Sequence, residues 1–320
     1  MVYLWIAMST VACKQRDDYP VFEEPKPPVV EEDIIPPDNS IGPLTQLIID
    51  KTDIIKTFQL DSTVKLADGV ERTHVRFLNK LNQAMSMQIL EVDLSKPNLT
   101  AYAMSPFDEV IYSTQTMDEM AKYNEPRSGG KIIAAINGDV AASGAPAGSF
   151  IKLGRQIKTT TTTATANTRA FFAVKKDGTP FIGNRPSSSY PLDSYNLDEI
   201  AHLVSGGIWL LYNNDLINST VTTVQANTGI GITQSKKVFA VVVDGVNNKF
   251  SVGITYNDLG KIMKAIGCYR AFSTSVGTSA VMVQRYETND PLKPLEWRAV
   301  NKPATPTGGV NVNGIGFVLK

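Results

Sequence analysis

Two apolar runs in this chain end in a carboxylate. "KIIAAINGDV" (131–140) closes on Asn137-Gly138-Asp139, and "VFAVVVDGV" (238–246) closes on Asp244-Gly245. An acid that directly follows a buried strand lies at a sheet end, where it can face a cleft as a base or nucleophile. Asn137 precedes Asp139 by two residues and shares its face if the chain stays extended. The plainer alternative for both is a turn whose side chains bond their own backbone. A third stretch, "AFSTSVGTSAVMV" (271–283), carries no charge. Ser273, Thr274, Ser275, Thr278 and Ser279 surround Gly277 there. Small hydroxyls around a glycine let backbone approach a ligand, and they equally make a tight polar turn. Arg169 heads "RAFFAV" after a threonine run. It reads as an anion clamp or as a solvated edge charge.

Little else in the chain offers chemistry. The only histidines, His74 and His202, have no motif partner, and Cys13 and Cys268 lack zinc-type spacing. Cys268 in "KAIGCYRAF" reads as a small buried hydrophobe. Trp209 and Trp297 suit either a sugar face or the core. No motif calls for a cofactor, and the use of a metal stays open. The 31 basic and 31 acidic residues cancel, so no overall field draws the protein to nucleic acid or to an anionic membrane.

The elements that must position these residues are mostly strands. "STVKLADGVERTHVRFLN" predicts two strands around Asp68-Gly69. "MSMQILEVDLSKPNLTAYAMSP" predicts a strand pair broken at Lys96-Pro97. "RAFFAVKKDGTPFIG" is a hairpin turning at Asp177-Gly178, and "EIAHLVSGGIWLLYNNDLI" gives another strand pair. Three segments read as helical: a short one from Leu44, "TQTMDEMAKYNE" capped by Thr114 or Thr116, and "TYNDLGKIMKAIGC". In the last, Thr255 caps, Asp258 stands at the capping-box offset and Gly267 ends the helix. The class is α+β, a strand-dominated mixed sheet with a few packed helices.

The start reads differently. "MVYLWIAMSTVAC" is an apolar run ending in small residues before Cys13, as in a bacterial lipoprotein signal with its lipid-attachment cysteine. Thr10 stands where Leu is usual, and the charged leader is missing. A short secretory segment with an incidental Cys is the alternative. Residues 14–43 are rich in Pro and acid and read as an extended tether. The expected organisation is signal segment 1–13, tether 14–43 and one folded domain 44–320. The expected location is the bacterial cell envelope, at the outer membrane, through a lipid anchor only.

The folded part resembles the phosphodiester glycosidase family. The matching pieces are "AINGD" (135–139), "GAPAGSFIKLGR" (144–155), "RAFFAVKKDG" (169–178), "NTGIGI" (227–232), "VFAVVVDGV" (238–246), "SVGITYNDLGKIMKAIGCYRAF" (251–272), "SAVMV" (279–283) and "VNKPATPTGGVNVNGIGFV" (300–318). Their order and spacing carry the resemblance over most of 60–320. It implies a sugar ligand and hydrolysis of sugar-phosphodiester bonds of the N-acetylhexosamine-1-phosphodiester type.

The departures are at charged positions. The family's carboxylate position carries Ser275, and of three glycines in that loop only Gly277 remains. Asn227 stands at an arginine position beside Thr228, Val246 at a second and Gly309 at a third. A leaving phosphate is already a weak base, so cleavage needs mainly a carboxylate near the anomeric carbon and donors for the phosphate. Backbone N–H groups and arginine are such donors. Asp139 and Asp244 are therefore the candidate catalytic carboxylates. Asn137, Arg169, Asn227, Thr228, Ser275, Gly277, Thr278 and Ser279 are the candidate ligand contacts. Two functions compete: a hydrolase of sugar phosphodiesters, retaining or inverting, and a glycan-binding surface lipoprotein that has lost catalysis. A purely structural role is a third.

Overall fold

The computed structural model describes residues 40–159, 169–184, 196–245, 247, 249–305 and 308–320. The signal segment, most of the tether, Cys13, Val246 and most of the threonine run lie outside the described residues.

Helix α1 (Pro43–Lys51) precedes a meander of β1 (Thr57–Ala67), β2 (Val70–Leu78) and β3 (Ala84–Asp93). Next come β4 (Leu99–Met104), α2 (Met117–Asn124) and β5 (Lys131–Asn137). The short strands β6 (Ala141–Ala142), β7 (Ala145–Pro146), β8 (Phe150–Lys152) and β9 (Arg155–Lys158) follow. The hairpin β10 (Ala170–Lys175) and β11 (Pro180–Asn184) leads to β12 (Ile200–Ser205), β13 (Trp209–Tyr212) and β14 (Asp215–Leu216). The last part holds β15 (Asn227–Ile232), β16 (Lys237–Val243), α3 (Tyr256–Ala265), β17 (Arg270–Ser273), β18 (Met282–Glu287), β19 (Leu295–Ala299) and β20 (Gly314–Leu319).

These strands form three principal sheets. The first runs β1-β2-β3-β16-β15-β17-β13-β14, the second β11-β10-β12-β8-β9 and the third β19-β18-β5-β20-β4. Strands β3 and β4 therefore do not pair with each other, and neither do β12 and β13. At each place the chain crosses from one sheet to another. The Lys96-Pro97 break and the Gly206-Gly207 pair are the crossing points rather than hairpin turns. The Asp68-Gly69 and Asp177-Gly178 hairpins do form as the sequence predicts.

The inner faces of all three sheets share one core. Leu90, Ile230, Val242 and Phe272 from the first sheet meet Phe172 and Val204 from the second and Ile136, Ile315 and Phe317 from the third. Each large side chain buried in this way stabilises by about 1.5–3 kcal/mol relative to exposure. Outside the first sheet, Leu259, Ile262 and Met263 of α3 pack on Met87, Phe239 and Val241. Outside the third, Met117 and Met120 of α2 pack with Ile132, Val281 and Trp297. The caps of α3 are those the sequence predicts: Thr255 Oγ1 accepts from Asp258 N–H at 3.1 Å, and Gly267 ends the helix with φ 97°. Thr116 is the N-cap residue of α2, without a side-chain capping bond.

One buried charge cluster fixes the loop that enters α2. Lys152 donates to Ser105 Oγ at 2.7 Å, Asp108 Oδ1 at 2.5 Å and Asn124 Oδ1 at 2.6 Å. Arg127 closes on Asp108 Oδ2 at 3.1 Å. Burial lowers the Lys152 pKa, against the opposing pull of Asp108. Neither histidine is a free acid–base group. His74 Nε2 lies 3.2 Å from Ser86 Oγ, and the His202 ring packs on Tyr102 at 4.6 Å. Burial pushes both down to about 4, with Arg72 and Arg76 adding to the effect at His74 and Lys152 at His202.

Candidate functional site

The end of β5 organises the site. Asn137 has 0% exposure and uses its whole amide. Its Nδ2 donates to Thr274 Oγ1 at 3.1 Å, the Ser275 carbonyl at 2.9 Å and Ser275 Oγ at 3.0 Å. Its Oδ1 accepts from Thr228 Oγ1 at 2.7 Å and Val281 N–H at 3.1 Å. One side chain thus ties β15 to both limbs of the 274–281 loop. Every lone pair and proton that could meet a ligand is already committed.

Asp139 is equally occupied. Oδ1 accepts from Val140 N–H at 2.8 Å and Oδ2 from Gly148 N–H at 2.5 Å. The Arg169 guanidinium also donates to Oδ1. Gly148 is needed for this close approach, because a Cβ there would fall 2.4 Å from Ser205 Cβ and 3.2 Å from Arg169 Nε. Burial pushes the Asp139 carboxyl up, while Arg169 and the two backbone donors oppose the shift. Arg169 is not a solvated edge charge. Its side chain is 20% exposed and pairs with a carboxylate that has no exposure. The Arg169 Nε is buried and has no hydrogen-bond partner among the described residues.

Asp244 differs in one respect. Its Oδ1 accepts from Asn301 Nδ2 at 2.9 Å and from Lys302 N–H at 2.8 Å. Its Oδ2 is buried and has no hydrogen-bond partner among the described residues. Burial raises the Asp244 pKa, opposed first by Asn301, then by the nearby Ser86 hydroxyl and by the backbone N–H and charge of Lys302. An unpartnered oxygen on a carboxyl of raised pKa is a place where a proton can be taken up.

The hydroxyl loop lies between these two acids. Its Ser275 N–H donates to the carbonyl of Gly138, next to Asp139, at 2.8 Å. Gly277 N–H donates to the Ala226 carbonyl at 2.9 Å. Ala226 in turn lies against Gly245, where a Cβ would fall 2.2 Å from Ala226 N. Each acid is thus adjacent to one anchor of the loop. Asn301 continues the connection, since its Nδ2 also reaches the Ala280 carbonyl at 3.3 Å and its Oδ1 accepts from Met282 N–H at 2.9 Å. Asn137 and Asn301 therefore hold alternate residues of Ala280–Met282.

Within the loop, Ser275 is 4% exposed and points at Asn137, whereas Thr278 is exposed and Ser279 half-buried. Gly277 has φ 70° with open space on its Cβ side, so the turn needs its backbone freedom rather than its small volume. Gly309 abuts the Thr278 carbonyl.

Asn227 and Thr228 separate. Successive residues of a strand face opposite sides. Thr228 points inward to Asn137, whereas Asn227 shares the face of Gly229, against Leu259 of α3 and Leu210. There Asn227 Oδ1 accepts from Ser273 Oγ at 2.6 Å and its Nδ2 has no hydrogen-bond partner among the described residues. Asn227 is thus not brought to the Asn137 cluster.

Three positions that matter escape the sequence reading. Asn301 holds Asp244, Asn313 Oδ1 accepts from Asp139 N–H at 2.7 Å, and Gly148 caps the Asp139 carboxylate. The sequence shows each only as Asn or Gly in a polar turn. Among the described residues no cluster of three or more His, Cys, Asp or Glu side chains is placed to hold a metal ion. No helix among them is long and apolar enough to cross a membrane.

Comparison with known proteins gives a consistent result. A model of the phosphodiester glycosidase family matches residues 130–307. The chain is similar in structure to the catalytic domain of zebrafish N-acetylglucosamine-1-phosphodiester alpha-N-acetylglucosaminidase, auto-inhibited by its pro-peptide. That match has a TM-score of 0.55 and 18% identity, and covers 81% of this chain and 88% of the other. A hypothetical protein from Synechocystis matches with a TM-score of 0.58 and 9% identity, over 82% of this chain and 64% of the other. At these identities the structural likeness concerns the fold alone. No curated protein sequence matches the chain.

Proposed function

The chain belongs to the phosphodiester glycosidase family, whose fold supports a hydrolase-like function, and from that premise we propose that it hydrolyses sugar-1-phosphodiesters with Asp244 as the working carboxylate. The observation that carries this assignment is the unpartnered Asp244 Oδ2. Both Asp139 oxygens already accept hydrogen bonds and one is paired with Arg169, so its part is to hold Arg169 in place. Arg169 receives the phosphate.

The step balances simply. Water attacks the anomeric carbon and gives its proton to Asp244 Oδ2. The carbon–oxygen bond to phosphate breaks, and a phosphomonoester leaves with the electron pair. Its added negative charge falls to Arg169 and to the hydroxyls of Thr278 and Ser279 beside the Gly277 turn. A raised Asp244 pKa makes this carboxylate a stronger base for the water.

A second reading has its own observation. By the sequence resemblance Ser275 falls at the family's carboxylate position, and its hydroxyl is bonded to Asn137, which suits a loop that only binds sugar. Ser275→Asp separates the two. With the cleft otherwise intact, an added carboxylate there raises release of N-acetylglucosamine from its 1-phosphodiester by about tenfold or more. An unchanged rate would mean that residue 275 is not at the reacting centre.

The envelope location belongs to the same proposal. A lipid on Cys13 and a stiff acidic tether would hold the domain off a membrane. Metabolic labelling with a fatty acid should mark the wild-type chain and not Cys13→Ala. Equal labelling of both removes the anchor from the account.

A further inference from the structure

A groove of about 570 Å³ lies beside the edge strand β19, a volume that accommodates one or two sugar units. Asp118 of α2 stands on one side. Trp297 and Arg298 come from β19, and Asn301, Lys302 and Pro303 from the segment after it.

Its chemistry is mixed in a telling way. Trp297 lines the groove with its Nε1–H already given to the Ile132 carbonyl at 3.2 Å. Trp297 is only 8% exposed, so it adds a little apolar wall rather than an open ring face. Arg298 lies 5.1 Å from the centroid of the Tyr286 ring and pairs with Glu296. Exposed Lys302 sits 4.7 Å from the centroid of the Phe250 ring and, among the described residues, has no ion-pair partner. Asp118 Oδ1 is buried and has no hydrogen-bond partner among the described residues, so what Asp118 brings to the groove is its negative charge rather than an open acceptor. Two cations, Arg298 and exposed Lys302, line the groove against one carboxylate, Asp118, and this balance fits a saccharide that carries a negative charge.

The groove is also coupled to the site. Asn301 Nδ2 and Lys302 N–H are the two donors that grip Asp244 Oδ1. One short stretch of backbone is therefore both a wall of the groove and the holder of the carboxylate.

We propose that this groove is the subsite for an anionic saccharide unit next to the scissile phosphodiester, with Lys302 as the residue that selects for charge. The proposal rests on the hydrolase reading above and extends it to the substrate's neighbouring unit. A ligand that engages Lys302 steadies the Asn301–Lys302 segment against Asp244. Asn301 is on this account a positioning residue.

The test is calorimetric titration of the full chain with three compounds that are not diesters: N-acetylglucosamine 1-phosphate, glucuronic acid and neutral N-acetylglucosamine. Saturable binding of an anionic sugar is expected, weakened about tenfold or more by Lys302→Gln, with the neutral sugar binding far more weakly. Which anion binds identifies phosphate or carboxylate as the source of the charge. Equal affinity for all three sugars would overturn the proposal. So would binding that is unchanged in a Lys302→Gln, Arg298→Gln double variant. Turnover of a sugar phosphodiester is measured separately. Lys302-dependent binding without turnover supports the groove and removes only the hydrolase reading. Turnover with Lys302-independent binding removes only the groove.

Discussion

Asp244→Asn is expected to lower turnover by about 10²–10⁴-fold while making the protein more stable. The substitution keeps an oxygen for Asn301 Nδ2 and Lys302 N–H and removes the charge whose second oxygen has no hydrogen-bond partner. The gain at neutral pH comes from removing a desolvated charge, because the amide nitrogen that takes the place of Oδ2 still needs an acceptor of its own. Its pH dependence has a definite sign. The folded-state pKa of Asp244 is raised by burial, so the folded wild type binds the proton more tightly than the unfolded chain does. Wild-type stability is therefore fullest below the ordinary carboxyl pKa and is lost as pH rises through the folded value. The variant's advantage should be absent in acid, grow over that interval and level off above it. Urea unfolding at several pH values measures this. A variant that loses stability at every pH would show that Asp244 is a structural ion and not a tuned base.

Asn137→Ala is expected to cost about 3–6 kcal/mol. The amide serves five partners, and after the change Val281 N–H and the Ser275 carbonyl are left buried without it. Each orphaned group costs about 1–3 kcal/mol, and the whole fold is worth only about 5–15 kcal/mol. The loss should show as a large fall in the urea midpoint, with sugar binding lost alongside because the 274–281 loop is no longer fixed. A change under about 1 kcal/mol would mean that water replaces Asn137 without consequence, and that the loop is not held from β5.

Much of this was legible in the sequence because it is local. The Asp139 and Asp244 strand ends, the two Asp-Gly hairpins and the Thr255–Asp258–Gly267 caps each depend on residues a few positions apart. The opposite facing of Asn227 and Thr228 follows from strand alternation alone, yet a motif read as a block of letters hides it. What was not legible depends on pairings far apart in the chain. Asn301 meets Asp244 across 57 positions, Asn313 meets Asp139 across 174 and Arg169 meets Asp139 across 30. The split of β3 from β4 has the same cause, since which sheet each joins is decided by β16 and β20. The groove beside β19 is a product of that assembly and has no local signal.

The loop around Ser275 changes meaning in this light. Its serine is not an empty catalytic position open to solvent but a hydrogen-bond partner of Asn137. What the loop offers a ligand is the Gly277 turn with exposed Thr278 and half-buried Ser279. The carboxylate work, on this account, moves to Asp244 at the other anchor.

The most direct test of that claim is phosphorus NMR of the wild-type protein with an N-acetylglucosamine 1-phosphodiester, followed between pH 4 and 8 (roughly the range over which carboxyl and phosphate groups titrate). Asp244 as a base predicts steady conversion of the diester signal to a monoester signal, faster as pH rises through the Asp244 pKa and absent in Asp244→Asn. Saturable binding with no monoester at any pH, or equal conversion by Asp244→Asn, would contradict it.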